Sequence, residues 1–326
     1  MKKRLLRALL TGAAAALLTV SGTAAQELTP IDDYPAASLQ ITVPLSEGGG
    51  TDVLIRALAP KMQEYLGVPV MVVNKPGRGC ALGYTAAAKE QPDGSAIVAG
   101  VAELLGLSQN ADFKYSFRDF EPVCNFNSCY ETITVRTDAP YGTIEEFVDY
   151  MQRNPGTVRF ANSGRGGPWH ILASVFAEDA DAEFVDIPFD GGGPAVLACV
   201  AGSVDAVNVS VAEVKEYVDA GQLKILLTYK PGGLEDYPDV PIAEDKGYRG
   251  TGSAVFRGFL APKGTPQEVL DDIDAAVRYA LADPEVQAFM EANLFTADYL
   301  NGEEFYALLE ELDGLVSIVW DDLGLG

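Results

Sequence analysis

Four short segments place glycines between the end of an apolar run and the start of a helical pattern. They are Leu45-Ser-Glu-Gly-Gly-Gly-Thr-Asp52, Pro76-Gly-Arg-Gly-Cys80, Ser163-Gly-Arg-Gly-Gly-Pro168 and Phe189-Asp-Gly-Gly-Gly-Pro194. A helix N-terminus carries unpaired backbone N–H groups and the positive end of the helix dipole, so it favours an anion, and glycine lets the backbone approach one closely. Four such loops at strand ends point to one anion site assembled from several turns. Arg78 and Arg165 each interrupt a loop. An arginine there can clamp a carboxylate with two parallel hydrogen bonds or simply face solvent, and the clamp is favoured more for Arg165, whose loop directly opens a helix. His170, the single histidine, falls in the first turn after the third loop and reads as a cap or ligand contact, with a structural histidine as the alternative. Trp169 and Phe189 either line a pocket or pack between layers.

Other chemistry finds little footing. Gly77, Gly79 and Gly83 give G-x-G-x-x-x-G, one residue off the dinucleotide fingerprint, and no P-loop occurs. A Ser-His-Asp triad would have to use His170, and no G-x-S-x-G elbow exists. With one histidine, dispersed cysteines and no calcium loop, neither a metal nor a cofactor is expected.

The elements that must hold these loops follow from periodicity. Leu39, Ile41 and Val43 alternate with polar residues and predict a strand over 39–45; Leu54, Leu58, Met62 and Leu66 predict a helix over 52–66, with Thr51 and Asp52 as cap types. Strands over 68–74 and 96–101 with a helix from Ala81 to about Glu90 complete a βαβαβ series with right-handed parallel crossovers. Phe113 to Phe126 shows no clear period. After a short strand at 133–136, Thr143-Ile-Glu-Glu146 reads as a capping box for a helix to Arg153. A second series runs through strands at 158–162, 184–188, 204–209 and 223–228 with helices between them. Extended chain at 258–266 and helices at 266–282, 284–292 and 302–320 end the protein. The terminal helices have no strands of their own, so they pack on the first lobe, and the chain crosses between lobes near Arg136 and near Phe259.

The chain has 326 residues and is 48% hydrophobic, enough for two moderate cores in an α/β protein. Lys2, Lys3, Arg4 and Arg7, an apolar run from Ala8 to Val20 and small residues to Ala25 form a secretory signal peptide over 1–25. Its removal takes four basic residues and no acid, moving the net charge from -24 to -28. Such acidity argues against nucleic acid or an anionic membrane as partner. It leaves room for a small anion, because diffuse surface charge is screened over about 8 Å at physiological salt. Cys124 and Cys129 are close enough in sequence to bridge across a turn, and buried unpaired thiols are the equal alternative.

These segments resemble the periplasmic substrate-binding proteins of tripartite tricarboxylate transporters, the Bug family. The likeness rests on Ile41 through Asp52, Val72 through Gly79, Gln91-Pro-Asp-Gly94, Asn154-Pro-Gly156, Asn162-Ser-Gly164 with His170, Asp190 through Ala195, and Ala261-Pro-Lys-Gly-Thr-Pro266, in order along the whole mature chain. It implies a type II-like, two-lobed binding protein. Each lobe would be a mainly parallel sheet flanked by helices, with lobe 1 at 26–135 and 259–326 and lobe 2 at 136–258. It further implies a periplasmic monomer that closes on a small organic acid and delivers it to membrane permease subunits, with no catalysis. The acid would be a di- or tricarboxylate, an amino or hydroxy acid, or an aromatic acid. A sensor feeding a membrane receptor and an exported hydrolase are the other readings.

The ligand-binding residues so implied are Leu45, Ser46, Glu47, Gly48, Gly49, Gly50 and Asp52 in the first loop and Gly77, Arg78 and Gly79 in the second. In the later loops they are Ser163, Gly164, Arg165, Gly166, Gly167 and His170, then Phe189, Asp190, Gly191 and Gly192, with Asn208 and Ser210 at a strand end. Three residues depart from the family pattern: Glu47, Cys80, and Glu103, which joins the expected site. Glu47 either satisfies the glycine-loop N–H groups itself or projects into the cleft, and the second is expected, which calls for a ligand bearing a donor as well as a carboxylate.

Overall fold

The computed structural model describes residues 37–249 and 255–322. The stretch read as a signal peptide therefore lies outside the described residues, as does most of the arm expected after it. Two mixed sheets flanked by helices make two lobes.

The first sheet begins with β1 (Leu39–Val43), β2 (Val70–Asn74) and β3 (Ala96–Val101), paired in parallel around β1 with Leu39 opposite Val70 and Gln40 opposite Ala96. The crossovers are α1 (Gly50–Leu66) and α2 (Ala81–Ala87), and α3 (Glu103–Ser108) follows β3. The stripe Leu54, Leu58, Met62 and Leu66 is buried, as the four-residue spacing requires. The N-cap of α1 is Gly49 rather than Thr51 or Asp52. Asp52 instead turns its carboxylate back to Gly48 N at 2.9 Å and takes Arg56 Nε and Asn74 Nδ2, each at 2.9 Å. One acid thus ties the first glycine loop to β2.

Two antiparallel strands extend the sheet beyond β3: β10 (Val255–Pro262), then β4 (Phe120–Cys129), with β11 (Thr296–Asn301) on the edge. The stretch that sequence leaves without a period is therefore a ten-residue strand. It is buried nearly throughout and carries register shifts against β10, so two-residue alternation never develops. Helices α8 (Gln267–Ala282), α9 (Pro284–Ala292) and α10 (Gly302–Asp322) complete this lobe, and β11 between them is the strand expected to be missing.

The second sheet has the order β7 (Val185–Pro188), β6 (Arg159–Asn162), β8 (Ala206–Ser210), β5 (Glu131–Arg136), β9 (Leu223–Thr228). Its helices are α4 (Ile144–Arg153), α5 (Pro168–Asp179), α6 (Gly192–Val200) and α7 (Val211–Asp219). Thr143 caps α4 by accepting from Glu146 N, as its sequence predicts. Tyr130 alone separates β4 from β5, so the first crossing between sheets falls there and not near Arg136, which ends β5 on the far side. At Val255 the chain is already in the first sheet, where β10 pairs with Cys129, so the return is complete before the Phe259 crossing that sequence suggests.

One apolar cluster on one side of the second sheet centres on Phe147, Phe160 and Phe176. A larger one runs from the first sheet into the facing part of the second lobe and includes Leu45, Trp169 and Val196. All four cysteines are free and buried. Cys124 and Cys129 share the extended strand β4, where five residues span about 16 Å, far beyond disulfide reach.

Candidate functional site

The glycine loops meet where the two lobes touch. Ser46 N donates to the Asp190 carbonyl at 2.9 Å, and Ser163 Oγ donates to Glu103 Oε1 at 2.7 Å. A third contact across the lobes runs from Gly50 N to Glu213 Oε1 at 3.3 Å.

The mouth of the cleft is a hollow of about 520 Å³ lined by Arg78, Gly79, Gly164, Arg165, Phe189 and Asp190, with Leu107, Asn110, Pro188 and Trp320. Gly77, Arg78, Gly79 and Cys80 all have positive φ, at 125°, 53°, 58° and 75°. For Arg78 and Cys80 that is an uncommon backbone state, held by the packing of buried Cys80 at the start of α2. Arg78 and Arg165 are exposed, and neither forms an ion pair among the described residues. The Trp320 indole N–H is buried without a partner.

The floor is tight, with only about 10 Å³ of space among Leu45, Thr51, Glu103, Ser163, Trp169, Gly192, Glu213 and Arg257. Arg257 is buried and donates through Nε to Thr51 Oγ1 at 2.9 Å and through Nη1 to Asn127 Oδ1 at 2.8 Å; its Nη2 stands 4.0 Å from Glu213 Oε2. Burial pushes the Glu103 carboxyl above its usual range, and the Ser163 hydroxyl and Arg257 pull it back only in part.

Behind the third loop His170 sets the backbone. Its Nδ1 accepts from Gly166 N at 2.9 Å and its Nε2 lies 3.5 Å from Asp186 Oδ2, while Asn162 Oδ1 accepts from Gly164 N. Both ring nitrogens are engaged within the protein, so His170 is a structural histidine supporting Gly164, Gly166 and Gly167. Burial lowers its pKa, against the pull of Asp186. The unfolded chain then binds a proton near the ordinary value of 6.5 that the folded chain refuses, and stability falls as pH drops below about 6.5. His170→Asn, which keeps an acceptor near the Nδ1 position, should lose that part of the acid sensitivity in melts at pH 7 and pH 5; identical slopes for both proteins would count against it.

Some expected residues lie elsewhere. Glu47 is exposed and lines a separate hollow of about 460 Å³ with Gly48, Gly50 and Glu213. Of the glycine-loop N–H groups, Asp52 takes that of Gly48 and Glu213 that of Gly50, so Glu47 satisfies neither. The acids at the cleft floor are Glu103 and Glu213 instead. Asn208 is buried within the second lobe and donates to the Trp169 carbonyl at 2.6 Å, and Ser210 serves Glu213 through N and Oγ at 3.0 and 2.9 Å. Sequence reasoning missed Arg257, Glu213 and Trp320. Arg257 was visible as a lone charge in the apolar run Val255-Phe-Arg-Gly-Phe-Leu260, and Ser210-Val-Ala-Glu213 as a capping box.

Residues 54–313 match the family model described as "Tripartite tricarboxylate transporter family receptor". The chain belongs to this family. It is 32% identical over 298 residues to the "UPF0065 protein in tcbD-tcbE intergenic region" of Pseudomonas sp. (strain P51), covering 89% of this chain and 87% of that one. It is 29% identical over 259 residues to "Protein BugT" of Bordetella pertussis, covering 78% and 79%. Among solved structures it is similar to the periplasmic binding protein BugD, with a TM-score of 0.85 and 28% identity over 89% of this chain and 99% of that one. MatC from Rhodopseudomonas palustris with bound malate shares the fold at 24% identity and a TM-score of 0.81, over 88% and 99%. This tricarboxylate-transporter receptor homologue therefore belongs with solute-binding proteins and not with enzymes.

Proposed function

We propose that the protein is exported to the periplasm, takes a small organic carboxylate into the cleft between its lobes, closes over it and delivers it to the permease subunits of a tripartite transporter. One observation carries the carboxylate. In a chain of net charge -24, two exposed arginines without ion-pair partners among the described residues line a single hollow at the ends of glycine loops. A guanidinium fork matches a carboxylate geometrically, and the left-handed run Gly77 to Cys80 fixes the backbone that presents Arg78. Asp190 in the same hollow suits a ligand bearing a hydroxyl or ammonium donor as well. On this reading lobe 1 ends at β4 and resumes with β10, and the two joints between the lobes act as a hinge. The signal peptide supports export, and the receptor family supports the transporter as partner.

Calorimetry against mono-, di- and tricarboxylates and amino acids tests this reading. A binder is expected, and Arg165→Ala or Arg78→Ala should weaken it about tenfold or more, the value of a charge-assisted hydrogen bond of roughly 1.5 to 3 kcal/mol. Binding of neutral sugars alone, or an affinity indifferent to both arginines, would overturn it.

A further inference from the structure

The N-terminus of α1 is the place where the first glycine loop offers its N–H groups, and a carboxylate already stands there. It belongs to Glu213, on α7 of the opposite lobe. Oε1 accepts from Gly50 N at 3.3 Å, Oε2 lies 4.0 Å from Arg257 Nη2, and the side chain is only 6% exposed. Oε2 also accepts from Ser210 N and Ser210 Oγ, the capping-box bonds that open α7. A capping glutamate needs one oxygen for that task. The other, Oε1, reaches across the cleft to the start of a seventeen-residue helix, while the capping oxygen faces the buried Arg257.

The surroundings are shaped for that reach. A Cβ on Gly192 would overlap the Glu213 carboxylate, and one on Gly50 would lie 2.8 Å from Arg257 Nη2 and 3.1 Å from Glu213 Cγ. Arg257 meets neutral acceptors, Thr51 and Asn127, through its other nitrogens, so Glu213 is its nearest anion in the floor. An N–H group at a helix start and a guanidinium nitrogen are donors that a ligand carboxylate would use.

We infer that Glu213 is an internal counter-anion that latches the lobes together and competes with the ligand for the floor of the cleft. The competition rests on the carboxylate reading above; the latch does not. A ligand carboxylate entering the floor displaces Oε1 from Gly50 N and takes Arg257, so the latch sets affinity by the cost of its own release. It also excludes ligands that cannot replace a carboxylate between those two donors.

Glu213→Gln separates the latch from the cap. The amide oxygen can still accept from Ser210, while the amide nitrogen presents donors to Gly50 N–H, where only an acceptor fits, and the charge facing Arg257 is lost. Glu213→Asp is the second variant, keeping the charge on a chain too short for both partners. Small-angle scattering on the ligand-free mature protein should give a larger radius of gyration for both variants than for wild type, with circular dichroism confirming that each is folded. Unchanged scattering would reduce Glu213 to a cap and overturn the latch. Calorimetry with succinate, malate, citrate and benzoate reads the competition. Whichever of these binds wild type should bind Glu213→Gln about tenfold more tightly, and equal or weaker binding would overturn the competitive role. If none binds either protein, the carboxylate reading fails, and the scattering still decides the latch.

Discussion

Gly106→Ala should lower ligand affinity by up to about a hundredfold while leaving each lobe folded. Gly106 lies inside α3, where alanine is the better helix former and where its backbone is not in the left-handed region. Within its own lobe the substitution is therefore harmless or mildly stabilising. Across the cleft it is not, because a Cβ there would overlap the Gly166 carbonyl oxygen and stand 3.4 Å from Trp320 Cζ3. Gly166 cannot yield easily: its φ of 73°, its N–H bond to His170 and the Trp320 ring against it fix its position. The proposed closure would have to stop short, and overpacking of this kind costs typically about 1 to 3 kcal/mol, up to about a hundredfold in affinity. Calorimetry of the variant beside its melting curve checks both halves. Wild-type affinity in Gly106→Ala would mean that these loops do not meet in the bound state. Gly166→Ala is the poorer probe, since it strains its own loop as well.

What sequence could and could not convey divides along physical lines. The stripe Leu54, Leu58, Met62 and Leu66 was legible because one helix face meets one sheet, so the 3.6-residue period survives in the residue types. The glycine loops were legible because close backbone approach and left-handed turns leave a residue signature. Strand β4 was not, since a strand buried on both faces and broken by bulges has no polar side to alternate with. The edge strand β11, Thr296-Ala-Asp-Tyr-Leu-Asn301, hid for the opposite reason, being partly exposed and polar along most of its length. The cysteines followed from β4: once both lie in one extended strand, the bridge is impossible. Glu47 and Glu213 mark the deeper limit. Glu47 sits inside the first glycine loop and Glu213 on a helix well past the last, and only the docking of one lobe on the other decides which reaches the α1 N-terminus. That is a tertiary distance between residues 163 positions apart, and no local pattern encodes it.

Glu131→Gln should stabilise the protein at neutral pH, by an amount that grows as pH rises. Glu131 is the first residue of β5, immediately after the crossing at Tyr130, and is 1% exposed. Neither carboxylate oxygen has a hydrogen-bond partner among the described residues, and the same holds for Asn208 Oδ1 and the Tyr229 hydroxyl, whose ionisation is opposed first by burial and then by the Glu131 charge. No ion pair among the described residues involves Glu131. Burial therefore pushes its pKa well above the ordinary 4.5, and the neighbouring Asn208 amide offsets this only in part. A neutral Glu131 can donate to one of the orphaned acceptors, which an ionised one cannot. The sign follows from proton linkage. Above about pH 4.5 the unfolded chain releases this proton while the folded chain holds it, so wild-type stability falls with pH until the raised pKa is passed. Glutamine is neutral at every pH and offers the same donor, so the gap between variant and wild type should widen by about 1.4 kcal/mol per pH unit across that window. Urea denaturation at pH 5, 6 and 7 measures it directly. Parallel stability curves for the two proteins would show that Glu131 ionises normally, which would require water or a cation to reach the start of β5 and relieve its burial.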